Sequence, residues 1–346
     1  MAIRMRKSRK KKSSGAAAFR LAAFFAAFIA AAAMAWLVVM PYGPDHETFV
    51  EVVPGSTTAQ IGQLLETAGI VRSRYAFDIL RYWKRGTLKA GEYRFDHPAS
   101  ATKIYARIAR GDVFTRPVTI PEGSSIFEIA ARLEQAGFVT QQDFLDAAVN
   151  QAGLVADLDP GATSLEGYLF RDTYHFQRKF TAAQICAAMV RRFRVIAGQI
   201  GLKENVHRVV TLASLVERET AVDAERPLVA SVFENRMAKN MPLMTDPAVI
   251  YGLELEGRWR GTIYESDLSR NTPYNTYLHA GLPPGPVANA GVKSLRAAMQ
   301  PAQTDYLYFV AAGANPQGHS LFSRTLDEQS RNVAGYRHAV KKAGGR

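Results

Sequence analysis

The chain has a single cysteine in 346 residues, Cys186. That excludes an intramolecular disulfide and any zinc site built from two or four cysteines. In the apolar run Ile185-Cys186-Ala187-Ala188-Met189-Val190 it reads as a small buried hydrophobe. The seven histidines, His46, His97, His175, His207, His279, His319 and His338, form no H-E-x-x-H pattern and no pair at ligand spacing. This argues against a zinc amidase or peptidase. There is no G-x-S-x-G elbow. S-x-x-K occurs only at Ser8 to Lys11 and K-T-G is absent, which argues against penicillin-binding transpeptidase chemistry. Phosphate-loop and dinucleotide fingerprints are missing too, so no cofactor and no metal are expected.

Acidic residues are absent from the first 20 positions, which carry Arg4, Arg6, Lys7, Arg9, Lys10, Lys11, Lys12 and Arg20. The net charge of +12 comes mostly from there; the remainder has 35 basic against 31 acidic residues. A nucleic-acid partner is therefore not expected. Residues 21–40 contain no charge at all. At about 1.5 Å per residue they span roughly 30 Å, one bilayer core. Basic flanks stay cytoplasmic, so the reading is a single-pass inner-membrane anchor (21–41) behind a cytoplasmic basic tail (1–20), with the rest periplasmic. The competing reading is a cleaved signal peptide, for which Ala33-Met34-Ala35 offers a site. Residues 42–48, with Gly43 and Pro44, read as a linker.

A composition of 47% hydrophobic and 21% charged residues is that of folded protein, and the length allows two or three domains. An internal repeat follows the linker. Val52, Gly55, Ser56, Thr57, Ile61, Leu65, Ala68, Gly69 and Val71 recur 68 residues later as Ile120, Gly123, Ser124, Ser125, Ile129, Leu133, Ala136, Gly137 and Val139. Each copy reads as a strand, a Gly-Ser turn with N-cap, an amphipathic helix stopped by glycine, and a second start. Residues 88–95 alternate like a strand closing the first copy. The block resembles LysM-type glycan-binding modules, βααβ units; a duplicated spacer is the equal alternative. Expected boundaries are 49–117 for the first unit, 118–150 for the second, 151–336 for a catalytic α+β domain, and 337–346 for a frayed basic tail. Helices are expected over 181–198 and 205–220, and another capped by Asp223 that buries Val229, Val232, Phe233 and Met237. Beyond Met241 glycine and proline mark a loop-rich region, followed by a buried strand over 306–310.

Carboxylates remain as candidate chemistry. Leu212, Leu215, Val216 and Glu219 share one helical face. A carboxyl in apolar surroundings holds its proton near neutral pH, as a general acid for glycosidic cleavage must. The alternative is a solvated helix end. Glu217 and Glu219 point about 200° apart on a helix and do not form a facing pair. Asp246 is a possible second carboxylate. One carboxyl suffices where the substrate supplies its own nucleophile: the 6-hydroxyl of muramic acid attacks the anomeric carbon and a 1,6-anhydro sugar results.

Five motifs in order carry a resemblance over about residues 49–335: Ala213-Ser214-Leu215-Val216-Glu217-Arg218-Glu219-Thr220, Val229-Ala230-Ser231-Val232-Phe233-Glu234-Asn235-Arg236, Thr245-Asp246-Pro247-Ala248-Val249-Ile250-Tyr251-Gly252, Pro273-Tyr274-Asn275-Thr276-Tyr277 and Gly281-Leu282-Pro283-Pro284-Gly285-Pro286. The sequence resembles the endolytic murein transglycosylase family. Arg171 stands where that family usually has proline, and Gln329-Ser330 where it has His-Asn. The resemblance implies a membrane-anchored lytic transglycosylase that cuts nascent peptidoglycan strands, with Glu219 rather than Glu217 as the catalytic acid. It also implies penicillin-binding synthases as partners. Roles that fit are Asp246 and Asn275 on sugar hydroxyls or N-acetyl groups, Tyr251, Tyr274 and Tyr277 on pyranose faces, and Arg236 on a lactyl or stem-peptide carboxylate. The rivals are a hydrolytic muramidase and a glycan-binding scaffold.

Overall fold

The computed structural model describes residues 14–315 and 318–344. Most of the expected cytoplasmic tail, residues 1–13, lies outside them. The chain is a mixed α+β protein that divides into two compact units, one ending at Thr115 and the other starting at Arg116.

The first unit begins with α1 (Ser14–Val39), whose segment Ala18–Val39 has a mean hydropathy of 2.3 and is exposed but for its last turns, where Val38 is half-buried. It is long and apolar enough to cross a bilayer. Then follow β1 (Thr48–Val52), α2 (Thr58–Thr67), α3 (Arg74–Lys84), β2 (Gly91–Phe95) and α4 (Ala101–Arg110). β1 and β2 pair antiparallel from Thr48 opposite Phe95 to Val52 opposite Gly91. Val50, Val52, Tyr93 and Phe95 point inward to meet Ile61, Leu65, Phe77, Leu80, Ile104 and Ile108. The first unit thus realises the strand-helix-helix-strand order expected of the first copy.

The second unit opens in the same order: β3 (Arg116–Ile120), α5 (Ile126–Gln135), α6 (Gln141–Asn150) and β4 (Asp172–Phe176). β3 and β4 pair antiparallel, Arg116 opposite Phe176. The repeat is therefore structural. Thr57 and Ser125 sit 68 positions apart, and each closes a capping box with the residue three further on, Gln60 and Glu128. The second copy closes on β4, beyond the expected boundary at 150/151, which falls inside this unit. Its core also runs on without a break into the remaining helices.

Those are α7 (Ala182–Ile200), α8 (Val206–Glu219), α9 (Arg226–Ala238), α10 (Asp246–Leu255), the single turn α11 (Glu265–Leu268) and α12 (Val292–Met299). Asp223 does not cap α9. It lies in a preceding 3-10 turn and its carboxylate pairs with Arg226 and Lys293 instead. Val229, Val232 and Phe233 are buried as expected. A hairpin of β5 (Tyr308–Ala311) and β6 (Ser320–Ser323) packs against α9 and against α13 (Leu326–Gly344). β5 is half-buried rather than buried, because its hairpin is only two strands wide. The tail expected to fray over 337–346 is helical as far as Gly344: no glycine or proline interrupts residues 336–343.

Candidate active site

α8 is the element that positions the site. Leu212, Ala213, Leu215 and Val216 have no exposed surface, and α9, α10 and α12 surround them. Burying each of the larger three stabilises the fold by about 1.5–3 kcal/mol. The helix ends at Glu219 because Thr220 is extended (φ −139°, ψ 133°). Glu219 is thus delivered by a rigid core helix to the edge of the apolar interior.

Loops are tied to α8 through buried polar groups. Val287 N–H donates to Ser214 Oγ at 3.0 Å. Asn289, 1% exposed, links three segments: its Oδ1 accepts from Leu169 N–H, and its Nδ2 donates to Ser124 O and Glu166 Oε1, all within 2.9 Å. Gly167 has φ +86°, and a Cβ there would come within 2.6 Å of Pro286 and Val210, so only glycine fits this crossing. Arg171, at the family's proline position, pairs with Glu122 at 2.7 Å.

Glu219 opens onto a cavity of about 240 Å³ shared with Arg236, Tyr277, Met244, Tyr308, Phe309 and Gln329. This is below the ~300–1,000 Å³ that encloses a drug-sized ligand, so a polymer segment would lie across it rather than inside it. A larger hollow of about 570 Å³ beside Lys203, Glu204 and Arg208 is an ordinary charged surface, so size does not select the site. Desolvation pushes the Glu219 carboxyl up to about 7, and the Asp246 charge adds to this; the Thr245 hydroxyl and the Arg236 charge pull it partly back. Glu219 therefore holds a proton at neutral pH for a large part of the time.

Of the residues expected at the site, Glu219, Arg236 and Tyr277 line one cavity. Asp246, at the start of α10, accepts a hydrogen bond from Tyr277 Oη at 2.6 Å and is near enough to act on Glu219. Arg236 donates to Leu243 O at 2.7 Å and lies 5.3 Å from the Tyr308 ring. Its Nε is buried with no partner among the described residues, and desolvation lowers its pKa.

Three of the expected residues lie outside this cavity lining. Tyr251 is 3% exposed, packs against Phe127 and Tyr274, and bonds to Glu166, so it belongs to the core. Tyr274 lies with it, ring centroids 5.1 Å apart, away from the cavity lining. Asn275 is 1% exposed. Its Nδ2 donates to Leu268 O and Arg270 O, and its Oδ1 accepts from Tyr277 N–H. These bonds occupy its amide and fix the loop that presents Tyr277, leaving nothing for a sugar.

Thr245 and Gln329 were not expected. Thr245 Oγ1 is buried and, apart from the Glu219 carboxyl, has no partner among the described residues. Its backbone is clamped to Thr276 Oγ1 at 3.0 Å, which joins the Asp246 and Tyr277 segments. Its place in the motif directly before Asp246 was the available signal. Among the described residues no group of three or more His, Cys, Asp or Glu comes together as a metal-binding set.

A carboxyl raised to about 7 on the last turn of a core helix, facing a cleft, has the properties that general acid catalysis requires. Residues 50–335 match the YceG-like family model, and the chain belongs to that family. It is 33% identical over 318 residues to the endolytic murein transglycosylase of Bacillus subtilis, covering 84% of this chain and 86% of that protein. It is 30% identical over 331 residues to the endolytic murein transglycosylase of Streptococcus pneumoniae, covering 86% of this chain and 60% of that longer protein. The crystal structure of a YceG-like protein from Listeria monocytogenes superposes with a TM-score of 0.54 at 31% identity, covering 83% of this chain and 99% of that one.

Proposed function

We propose that this chain is an endolytic peptidoglycan lytic transglycosylase that cleaves the β-1,4 bond between N-acetylmuramic acid and N-acetylglucosamine. The observation that carries the reading is the Glu219 carboxyl, raised to about 7 and open to a cleft. Its proton goes to the bridging oxygen as the bond to the muramic anomeric carbon breaks. The muramic 6-hydroxyl oxygen then bonds to that carbon and returns its proton to Glu219. No water is consumed, and the acid is regenerated for the next cut. Tyr277 and Asp246, coupled at 2.6 Å, are placed to hold a sugar hydroxyl or N-acetyl group, and Arg236 to meet a lactyl carboxylate.

α1 serves as an uncleaved single-pass anchor with its basic flank in the cytoplasm, which leaves the chain beyond it in the periplasm near newly made strands. The LysM-like first copy then follows the anchor directly along the chain. Cutting there limits strand elongation and places the enzyme among penicillin-binding synthases. The full-length protein and its Glu219→Gln variant, incubated with purified glycan strands, test the reading. Release of anhydro-ended fragments by the former alone supports it; equal release by both rejects it.

Asp246 favours a second reading. A carboxylate beside the acid is the partner that a hydrolytic muramidase uses to activate water. Such an enzyme leaves reducing ends, so the products separate the two.

A further inference from the structure

α3 carries an unusual outer face. Tyr75, Ile79, Tyr82 and Trp83 fall at i, i+4, i+7 and i+8, one stripe of the helix, and are 61%, 36%, 76% and 79% exposed. The opposite side is already satisfied, with Ala76, Phe77 and Leu80 in the core. The stripe is therefore a second, largely exposed apolar face, of which, among the described residues, only Tyr75 is engaged, by the Arg74 guanidinium 4.8 Å from its ring. Along one edge of the stripe lie Asp78, the sole acid on the helix, and then Arg74 and Arg81, with Lys84 in the last turn and Arg85 at the C-cap.

Position gives the face its partner. α1 packs against α3 and α4, and Val38 joins the core of the first unit. The Arg72 guanidinium, two residues before α3, sits 4.1 Å from the Trp36 ring and 4.9 Å from the Tyr42 ring, and donates to Pro41 O at 3.3 Å. Trp36 lies three residues before the end of the apolar helix, where aromatic side chains mark a bilayer boundary. The Arg72 clamp fixes α3 to that end of the anchor.

We infer that α3 lies in the headgroup region of the same bilayer, seating Tyr75, Ile79, Tyr82 and Trp83 among anionic phospholipids while Arg81, Lys84 and Arg85 meet the phosphates. A Trp/Tyr stripe with basic flanks is the composition of an interfacial helix. Long basic side chains reach the phosphates while their stems cover apolar surface. Glycan stacking is the competing use of exposed aromatics. It requires a groove, whereas these rings stand outward. The inference rests on reading α1 as a membrane anchor.

The three tryptophans, Trp36, Trp83 and Trp259, make the test direct. The full chain is reconstituted in vesicles of phosphatidylethanolamine and phosphatidylglycerol, once with Trp36→Phe and Trp259→Phe, and once with Trp83→Phe and Trp259→Phe. The expected result is that lipids brominated near the headgroup quench Trp83 emission by more than half and that aqueous iodide does not. Arg81→Glu with Lys84→Glu should weaken the lipid quenching. If Trp36 is quenched by lipid while Trp83 responds only to iodide, the inference is overturned and the anchor stands. If neither is quenched by lipid, both fall. If added glycan strands shield Trp83 from iodide where lipid does not, the face is a glycan surface and the inference is again overturned.

Discussion

Glu217 Oε2 lies 3.1 Å from Arg226 Nη1, and both side chains are nearly dry, 6% and 7% exposed. Gly291 N–H also donates to that oxygen at 2.9 Å. Two residues further along α8, Glu219 forms no ion pair among the described residues, feels the Arg236 charge only weakly, and is raised to about 7 by desolvation. Neighbouring glutamates on one helix thus meet opposite surroundings: one is paired with a buried guanidinium, the other is desolvated beside a cleft.

The two should separate cleanly on mutation. Glu219→Gln is expected to lower turnover by about 10²–10⁴-fold, the range of a lost general acid, with little change in melting temperature. Glu217→Gln removes one of two carboxylates from the buried Arg226, which keeps Asp223, and should cost about 1–3 kcal/mol of stability. Activity assays beside thermal melts check this. Large activity loss in a fully stable Glu217→Gln protein would reverse the assignment.

The acid must be protonated to act, so turnover should fall as pH rises through about 7. Arg236 lowers the Glu219 pKa and Asp246 raises it. Arg236→Met should move the alkaline limb to higher pH, and Asp246→Asn should move it to lower pH. A pH–rate profile of each variant reads this. Shifts of the same sign in both would contradict the electrostatics.

Stability should also depend on pH. Burial raises Glu166 to about 8 and Glu254 to about 7, against an ordinary value of 4.5. Between those values the folded chain binds more protons than the unfolded one. The stabilisation is complete below about 4.5 and is lost as pH rises toward 8. Asp157, lowered to about 2 by Arg194, acts only below this window. Melting temperatures from pH 5 to pH 8.5 should decline, and a flat profile would contradict the burial of these acids.

Asn275→Ala removes the amide that bonds Leu268 O, Arg270 O and Tyr277 N–H. The expected loss is about 1–3 kcal/mol from unpaired buried groups, together with reduced turnover as Tyr277 shifts. A direct sugar-binding role would instead weaken glycan affinity with stability intact, which melts and binding isotherms distinguish.

Much of this molecule was legible before its structure. The offset of 68 became two βααβ units because Gly-Ser turns and capping boxes are local devices that act wherever they occur. Glu219 was legible because helical periodicity ties it to Leu212, Leu215 and Val216. What periodicity lacks is long-range contact. The choice of Glu219 over Glu217 comes from the resemblance, and the contacts of Glu217 with Arg226 and Gly291 are what periodicity could not supply. Tyr251, Tyr274 and Asn275 look like ligand residues because polar and aromatic groups crowd one loop. Hydrogen bonds to Glu166 and to loop carbonyls make Tyr251 and Asn275 scaffold, and Tyr274 packs on the Tyr251 ring. Gln329 reaches the cavity from α13, more than 100 residues from Glu219, and its only signal was its place at the family's His-Asn position.

The central claim is that one carboxyl at Glu219, without an activated water, breaks the glycan chain. Mass analysis of fragments released in water enriched in heavy oxygen tests it most directly. The account predicts 1,6-anhydro termini that lack the label and are lighter than hydrolytic products by one water. Labelled reducing termini would contradict it and point to Asp246-assisted hydrolysis.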